Sequence, residues 1–328
     1  MPVIADGSFL ITGGASLVGS HIADVLLSQG AREVRLLDNL ALGPADMVQH
    51  LAQEPRVKFI RGDVTRLNDV IDAAEGIDGA FALAAYLTIS MAHDPALGVA
   101  INNLGIANTL EACRIAKVRR IVFASSVGVY GLPDAESVVE ETPFTSAGAS
   151  PAFILYSASK LTGEALCAHY GKVHGIEYNA LRISSVYGDR QHNRAVNANF
   201  IAQVYDHVRR GEAPAILGDG LEVHDYIYVT DVAEAAAIAM SHGAQGHVLN
   251  IATGIDTTLT RIAEIVLEAC GAKHLRPAYS PDNRVVRAST TTRLRFSRAK
   301  AERILGWTPK VPVEDGIRRT VAWWAAKS

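Results

Sequence analysis

Short apolar runs alternate with longer segments of helical period along the first half of the chain. The runs are Phe9-Leu-Ile11, Val34-Arg-Leu-Leu37, Val57-Lys-Phe-Ile60, Ala80-Phe-Ala-Leu83, Ile121-Val-Phe123 and Ala180-Leu-Arg-Ile183. Between them lie segments such as 96–117 and 156–174, whose apolar positions recur every three to four residues. This alternation predicts βαβ units: an α/β fold with a doubly wound parallel sheet, apolar because helices cover both faces. Past about residue 183 the pattern loosens into loops (189–197 and 272–292) and helices near 231–242, 259–270 and 314–326. The expected division is a larger unit over 1–183 with returns near 225–252, and a smaller part over 184–224 and 253–328. No Pro/Gly/Ser-rich linker separates them, so they should pack as one body.

At 328 residues the chain is long enough for such a core. Its 31 Lys+Arg against 34 Asp+Glu leave a formal charge of −3, so no global field recruits nucleic acid or an anionic membrane. The least polar stretch, 79–92, is too short to span a bilayer, and the N-terminus lacks a signal-peptide pattern; a cytoplasmic protein is expected. Cys113, Cys167 and Cys270 are odd in number and far apart, and read as reduced packing residues. The histidines include no His-Glu-x-x-His, so no metal is expected.

Thr12-Gly-Gly-Ala-Ser-Leu-Val-Gly19 follows the first apolar run and opens a helix. Glycines there let the chain turn tightly and bring backbone amides and a helix N-terminus to a pyrophosphate. Such a turn alone is a weak signal. Asp38, about 20 residues on at the end of the next strand, strengthens it, because a carboxylate there accepts hydrogen bonds from an adenosine ribose. Asp38 also repels a 2′-phosphate, and Asn39-Leu40 supplies no arginine to receive one, so NAD is expected over NADP. Gly62-Asp63-Val64 reads equally as an adenine-edge cap or as an ordinary turn and helix start.

Tyr156-Ser-Ala-Ser-Lys160 puts a phenol and an ammonium on one face of a helix. A nearby ammonium favours the phenolate and so brings a group of ordinary pKa near 10 toward use as an acid or base, the chemistry of a carbon–oxygen bond. Ser125-Ser126 lies between the glycine turn and this pair. The bland alternative, a surface Tyr/Lys pair and a strand that ends in serines, does not account for three motifs in this order.

Taken together, Thr12–Gly19, Asp38-Asn-Leu40, Gly62-Asp63, Leu83-Ala-Ala85, Ser125-Ser126 with Val129-Tyr-Gly131, Tyr156–Lys160, Leu181-Arg182 with Val186-Tyr-Gly188, and Asp225-Tyr-Ile-Tyr-Val-Thr-Asp231 resemble the extended short-chain dehydrogenase/reductases. The likeness is greatest to the NAD-dependent nucleotide-sugar epimerase/dehydratase family, UDP-glucose 4-epimerases among them, and runs from about residue 8 to 324. It implies a Rossmann-type fold and an NAD site formed by Gly13, Ser16, Leu17, Val18, Gly19, Asp38, Asn39, Asp63, Val64, Leu83, Ala84, Ala85, Asn102, Tyr156 and Lys160. It further implies Tyr156 as the proton-transfer group, Ser126 as its hydrogen-bonding partner on the substrate oxygen, and Lys160 on the nicotinamide ribose. Substrate contacts would come from Ser125, Ser126, Ser185, His224 and Arg287. A homodimer built on 96–117 and 156–174 is implied too, although those apolar residues must in any case cover the sheet.

Within that resemblance, dehydratases and decarboxylases place acids just after the catalytic Ser/Thr. Here Val127 and Gly128 follow Ser126, which disfavours dehydration. Other positions depart from the pattern: Ser16 for the middle glycine, Ala82 for a histidine, Ser185 for an asparagine, His224 for a diphosphate-clamping arginine, and Arg295 for an aspartate. Arg276, Arg284, Arg287, Arg293, Arg295 and Arg298 crowd one segment, which reads as a solvated basic face or as an anion site, at even odds. The expected activity is epimerisation of a nucleotide sugar, at C4 of a UDP-hexose or UDP-uronate. The rival is an NAD-dependent dehydrogenase of a free sugar, sugar acid or other secondary alcohol that releases NADH; a non-catalytic NAD sensor is the third class.

Overall fold

The computed structural model describes residues 4–41, 45–191, 199–241, 243–282 and 295–327. In chain order the first half runs β1 (Ser8–Thr12), α1 (Leu17–Ser28), β2 (Glu33–Asp38), β3 (Val57–Arg61), α2 (Leu67–Ala74), β4 (Gly79–Ala82), α3 (Thr88–His93), α4 (Pro95–Val99), α5 (Gly105–Ile115) and β5 (Arg120–Ser126). It continues through β6 (Ser137–Val138), α6 (Pro151–His174), β7 (Glu177–Ile183), β8 (Ser185–Tyr187), α7 (Asn199–Arg209), β9 (Ala215–Leu217) and β10 (Val223–Tyr228). The last part holds α8 (Val229–Ser241), β11 (His247–Ile251), β12 (Asp256–Thr258), α9 (Leu259–Ala269), β13 (Ala278–Ser280), β14 (Arg295–Phe296), α10 (Ala299–Leu305) and α11 (Val313–Lys327).

Seven strands form the central sheet in the order β11-β7-β5-β4-β1-β2-β3, every pair parallel. The chain winds outward in opposite directions from β1 and β4, so a crevice opens between the carboxyl ends of those two strands. Each of the six apolar runs read from the sequence falls within or overlaps one of these strands. They are apolar throughout because both faces are covered: Phe9, Ile11 and Leu36 pack under α1 and α8, while Leu10, Ala80 and Ile121 pack under α2 and α5.

A separate three-stranded sheet, β12-β10-β8, carries the smaller part, with its own core of Tyr187, Tyr226, Tyr228, Ile262 and Ile317. β10 lies in this sheet, although its Ile227 packs into the core under α8, and β11 returns to the large sheet as its edge strand. The far C-terminal segment is divided as well: Ala301, Leu305 and Trp307 pack in the core that holds α1 and α8. The expected single helix over 96–117 is α4 and α5 joined by a π-helical turn at Ala100–Leu104. Among the described residues no helix is long and apolar enough to cross a membrane.

Candidate active site

The glycine turn is built by close backbone approach. Gly13 has φ of 71°, and a Cβ there would lie 2.9 Å from the Ala84 amide nitrogen; a Cβ on Gly19 would lie 2.7 Å from the Gly13 carbonyl oxygen. Position 16 has no such demand. Its φ is −101°, ordinary for any residue, and the Ser16 hydroxyl oxygen caps α1 by accepting from the Gly19 N–H at 3.1 Å. Serine in place of glycine therefore secures the helix N-terminus.

Asp38, at the end of β2, accepts from the Ala15 N–H at 3.0 Å and from the Leu40 N–H at 2.8 Å, tying the turn to its neighbouring strand. Asn39 donates to Asp63 at 3.2 Å, and Asp63 accepts from both the amide and the hydroxyl of Thr65. Burial pushes the Asp63 carboxyl up, but the hydrogen bonds from Thr65 and Asn39 outweigh it and hold the group below its usual range. Asp63 thus makes a local turn and also lines the cavity wall, so both readings of Gly62-Asp63-Val64 survive.

The opposite wall is the end of β5 against α6. Ser150 caps α6, its hydroxyl accepting from the Phe153 N–H at 3.3 Å, and Pro151 occupies the first helical position. This start point turns Tyr156 and Lys160 inward, each about 5 % exposed. The Ser126 hydroxyl accepts from the Gly128 N–H at 3.1 Å, and its interaction with the Tyr156 phenol works against the upward push of burial. The Lys160 ammonium donates to the Ala124 carbonyl at 2.7 Å and lies 5.9 Å from the centre of the Tyr156 ring.

The expected effect of Lys160 on Tyr156 is not what governs this site. Burial dominates the phenol and pushes it up, with the Ser126 hydrogen bond in partial opposition. Burial also pulls Lys160 down to about 8, against the attraction of Glu164. A dry wall disfavours both charged forms, and that outweighs their proximity.

A cavity of about 340 Å³ joins the two walls. Its lining takes in Gly13, Ser16, Leu17, Val18, Asp38, Asn39, Asp63, Val64, Leu83, Ala84, Ala85, Ser125, Ser126, Tyr156 and Lys160. Of the expected cofactor residues, Gly19 stands behind the turn, and Asn102 is committed elsewhere. The Asn102 carboxamide accepts from the Tyr86 N–H at 2.7 Å and donates to the Tyr86 carbonyl and to Ser159 Oγ, both at 3.0 Å. It fastens the loop after β4 to α6.

The expected substrate residues scatter. Ser125 touches the cavity, yet its hydroxyl donates to Glu164 at 2.6 Å. Ser185 pairs with Tyr226 in the smaller sheet. His224 contacts Glu222 at 2.9 Å and packs its ring edge-on to Tyr226. Neither Ser185 nor His224 lines the cavity that holds Tyr156. Arg287 lies outside the described residues, as do Arg284 and Arg293 of the arginine cluster. Of the cluster's described members, Arg276 bonds carbonyls of its own loop, Arg295 faces Asp256 at 3.5 Å, and Arg298 donates to the Thr253 carbonyl.

Three acids matter that the sequence did not single out for these roles. Glu164 pairs with Arg182; Glu222 holds His224; Asp225 accepts from Ser184 Oγ and the amides of Thr253 and Gly254, binding β10 to the loop after β11. The one available signal was Glu164, four residues beyond Lys160 on the same helix face.

The model of the NAD-dependent epimerase/dehydratase family matches residues 9–252. A UDP-glucose 4-epimerase from Mycolicibacterium smegmatis is 30% identical over 322 residues, covering 97% of this chain and 99% of that protein. A dTDP-glucose 4,6-dehydratase from an Actinoplanes species is 31% identical over 328 residues, with 97% of each chain covered. The crystal structure of Thermus thermophilus UDP-glucose 4-epimerase in complex with NAD superposes with a TM-score of 0.83 at 32% identity, covering 98% of this chain and 100% of that one.

Proposed function

The chain belongs to the NAD-dependent epimerase/dehydratase family, an enzyme family whose cofactor is NAD, and from that premise we propose that it is a nucleotide-sugar epimerase acting at C4 of a UDP-hexose or UDP-uronate. The observation that carries this reading is that Tyr156, Ser126 and Lys160 share one wall of the cavity whose other wall is the Gly13 turn and Asp38. The cavity fits NAD. The amides of Leu17 and Val18 open α1 toward an anion, Ser16 retains its own hydroxyl proton for a phosphate oxygen, and Asp38 stands ready for a ribose hydroxyl.

Bound NAD supplies the hydride acceptor and donor. The side chains do the rest. Tyr156 removes the proton from the C4 hydroxyl as hydride leaves the same carbon, and returns it when that carbon is reduced. Ser126, whose oxygen already accepts from Gly128, keeps its proton to donate to the reacting oxygen. Lys160, positioned by the Ala124 carbonyl, holds the ribose. Epimerisation requires the oxidised sugar to turn so that its other face is reduced, and no NADH is released.

Val127 and Gly128 favour epimerisation over the dehydration catalysed by relatives. A Cβ on Gly128 would lie 3.5 Å from the Tyr156 ring, so this position faces the reaction and offers no acid. A second reading, oxidation of a free sugar, sugar acid or other secondary alcohol with release of NADH, is favoured by one observation: the imidazole at 224 is paired with a carboxylate. Absorbance of reduced nicotinamide during turnover separates the two. Conversion of UDP-glucose with no net rise supports the epimerase, and a stoichiometric rise with a free sugar acid overturns it.

A homodimer belongs to the same proposal. Leu97, Leu104, Ile115, Leu155 and Val173 on α4 to α6 and the turn between them are exposed apolar residues available to pair as a four-helix bundle. Sedimentation that finds only a 35.0 kDa species defeats it.

A further inference from the structure

We propose that Glu164 is a positioning residue of the proton-transfer site, fixing the end of β5 through Ser125 one helical turn beyond Lys160; this rests on the roles given above to Tyr156 and Lys160. Glu164 follows Lys160 by one helical turn on α6 and points the same way. Its carboxylate takes a two-pronged contact from Arg182 of β7, at 2.9 Å from Nε and 2.8 Å from Nη2. The Ser125 hydroxyl donates to it at 2.6 Å. All three residues are buried, and the carboxylate, partnered on both oxygens, is held beside the strand that carries Ala124 and Ser126.

Those neighbours are the two atoms on which the site depends. The Ala124 carbonyl receives the Lys160 ammonium, and Ser126 is the side chain that lowers the Tyr156 phenol against burial. Glu164 is also the charge that opposes the loss of the Lys160 proton by burial. The other titratable or charged groups around this corner are Tyr156 and Cys167 on α6, Arg182 and Tyr178 on β7, Tyr130 after β5, and Glu140, whose carbonyl accepts from Arg182. None of them is an anion set to replace Glu164 at the ammonium.

The decisive variant is Glu164→Gln, which keeps the shape and an acceptor for Ser125 but removes the charge. Two readouts are taken: the pH profile of kcat/KM with UDP-glucose, and the titration of the Lys160 ammonium in NAD-free protein, followed by NMR of the lysine side chains and assigned against Lys160→Met. With Glu164 lost, Lys160 gives up its proton at lower pH. The alkaline limb of the profile and the Lys160 titration should both move down by about one pH unit. If both stay where they are in wild type, Glu164 only packs β7 on α6 and the inference is overturned. If Gln leaves Arg182 unpaired and the protein does not fold, Glu164→Leu with Arg182→Met exchanges the ion pair for apolar groups, a change that is often tolerated, and the same two shifts are expected. Failure of UDP-glucose to turn over in wild type would count against the nucleotide-sugar reading, while the Lys160 titration would still decide Glu164.

Discussion

The two ends of the molecule's cleft are held in different ways. At the cofactor end, side chains bond to backbone a few residues or one strand away: Asp38 to Ala15 and Leu40, Ser16 to Gly19, Asp63 to Thr65. In the smaller sheet and the segments around it, side chains bond to one another or to distant loops: Glu222 to His224, Arg295 to Asp256, Asp225 to Ser184 and the loop at Thr253. Backbone contacts fix a shape that must accept one cofactor. Side-chain pairs can be exchanged without disturbing the fold, and three of the five departures from the family pattern, Ser185, His224 and Arg295, lie at this end. The comparison predicts that substitutions at the cofactor end act on binding common to every substrate, while those at the other end act on substrate choice.

The largest effect is expected at the junction of the two ends. Tyr156→Phe deletes one hydroxyl and keeps the buried ring, so NAD binding should persist while turnover falls by about 10²–10⁴-fold; near-normal turnover would remove Tyr156 from the mechanism. Next comes Asp38→Ala, which removes an acceptor for the ribose and also two bonds that hold the turn. NAD affinity should drop by about 10–100-fold, the cost of losing a hydrogen bond to a charged group, and the preference over NADP should narrow. Calorimetric titration with both cofactors that shows an unchanged ratio would reduce Asp38 to a structural anchor.

His224→Arg probes the other end, and the structure sharpens it. An arginine there would meet Glu222, now 2.9 Å from the imidazole, and be partly neutralised, so the informative variant couples it with Glu222→Gln. For a diphosphate substrate the double variant should lower KM for a UDP-sugar by about 10-fold. For a smaller acid or alcohol it should lower kcat/KM and create no UDP-sugar activity. Steady-state kinetics with both substrate classes gives opposite signs for the two readings.

The smallest effect tests how rigid the cofactor end is. His21 is buried on α1 with Nδ1 donating to the Leu17 carbonyl at 2.9 Å, and burial pushes its imidazole down to about 4. Its ordinary value is 6.5, so between pH 6.5 and 4 the unfolded chain binds a proton that the folded chain refuses. Its contribution is present above pH 6.5 and lost as pH falls through that window, to the order of 2 kcal/mol. His21→Asn, which keeps the donor and does not titrate, should flatten the fall of melting temperature over this range; an identical slope would place the acid sensitivity elsewhere.

The strands, the glycine turn, Asp38 and the Tyr156/Lys160 spacing could be read from the chain because each is a local rule: a period of two or 3.6, a φ that only glycine tolerates, a pair one helical turn apart. Ser16 could be seen but not understood, since only the observed φ shows that its position never required glycine. What the tertiary structure decided was environment. Burial raised Tyr156 and lowered Lys160, against the expectation drawn from their spacing, because desolvation depends on everything packed around a group. It also joined Glu164 to Ser125, 39 residues earlier, and Asp225 to Thr253, 28 residues later, pairings that no local pattern encodes. The sequence by itself determined the scaffold and the cofactor; which charges Tyr156 and Lys160 favour, and what stands opposite them, followed from distant segments folding against one another.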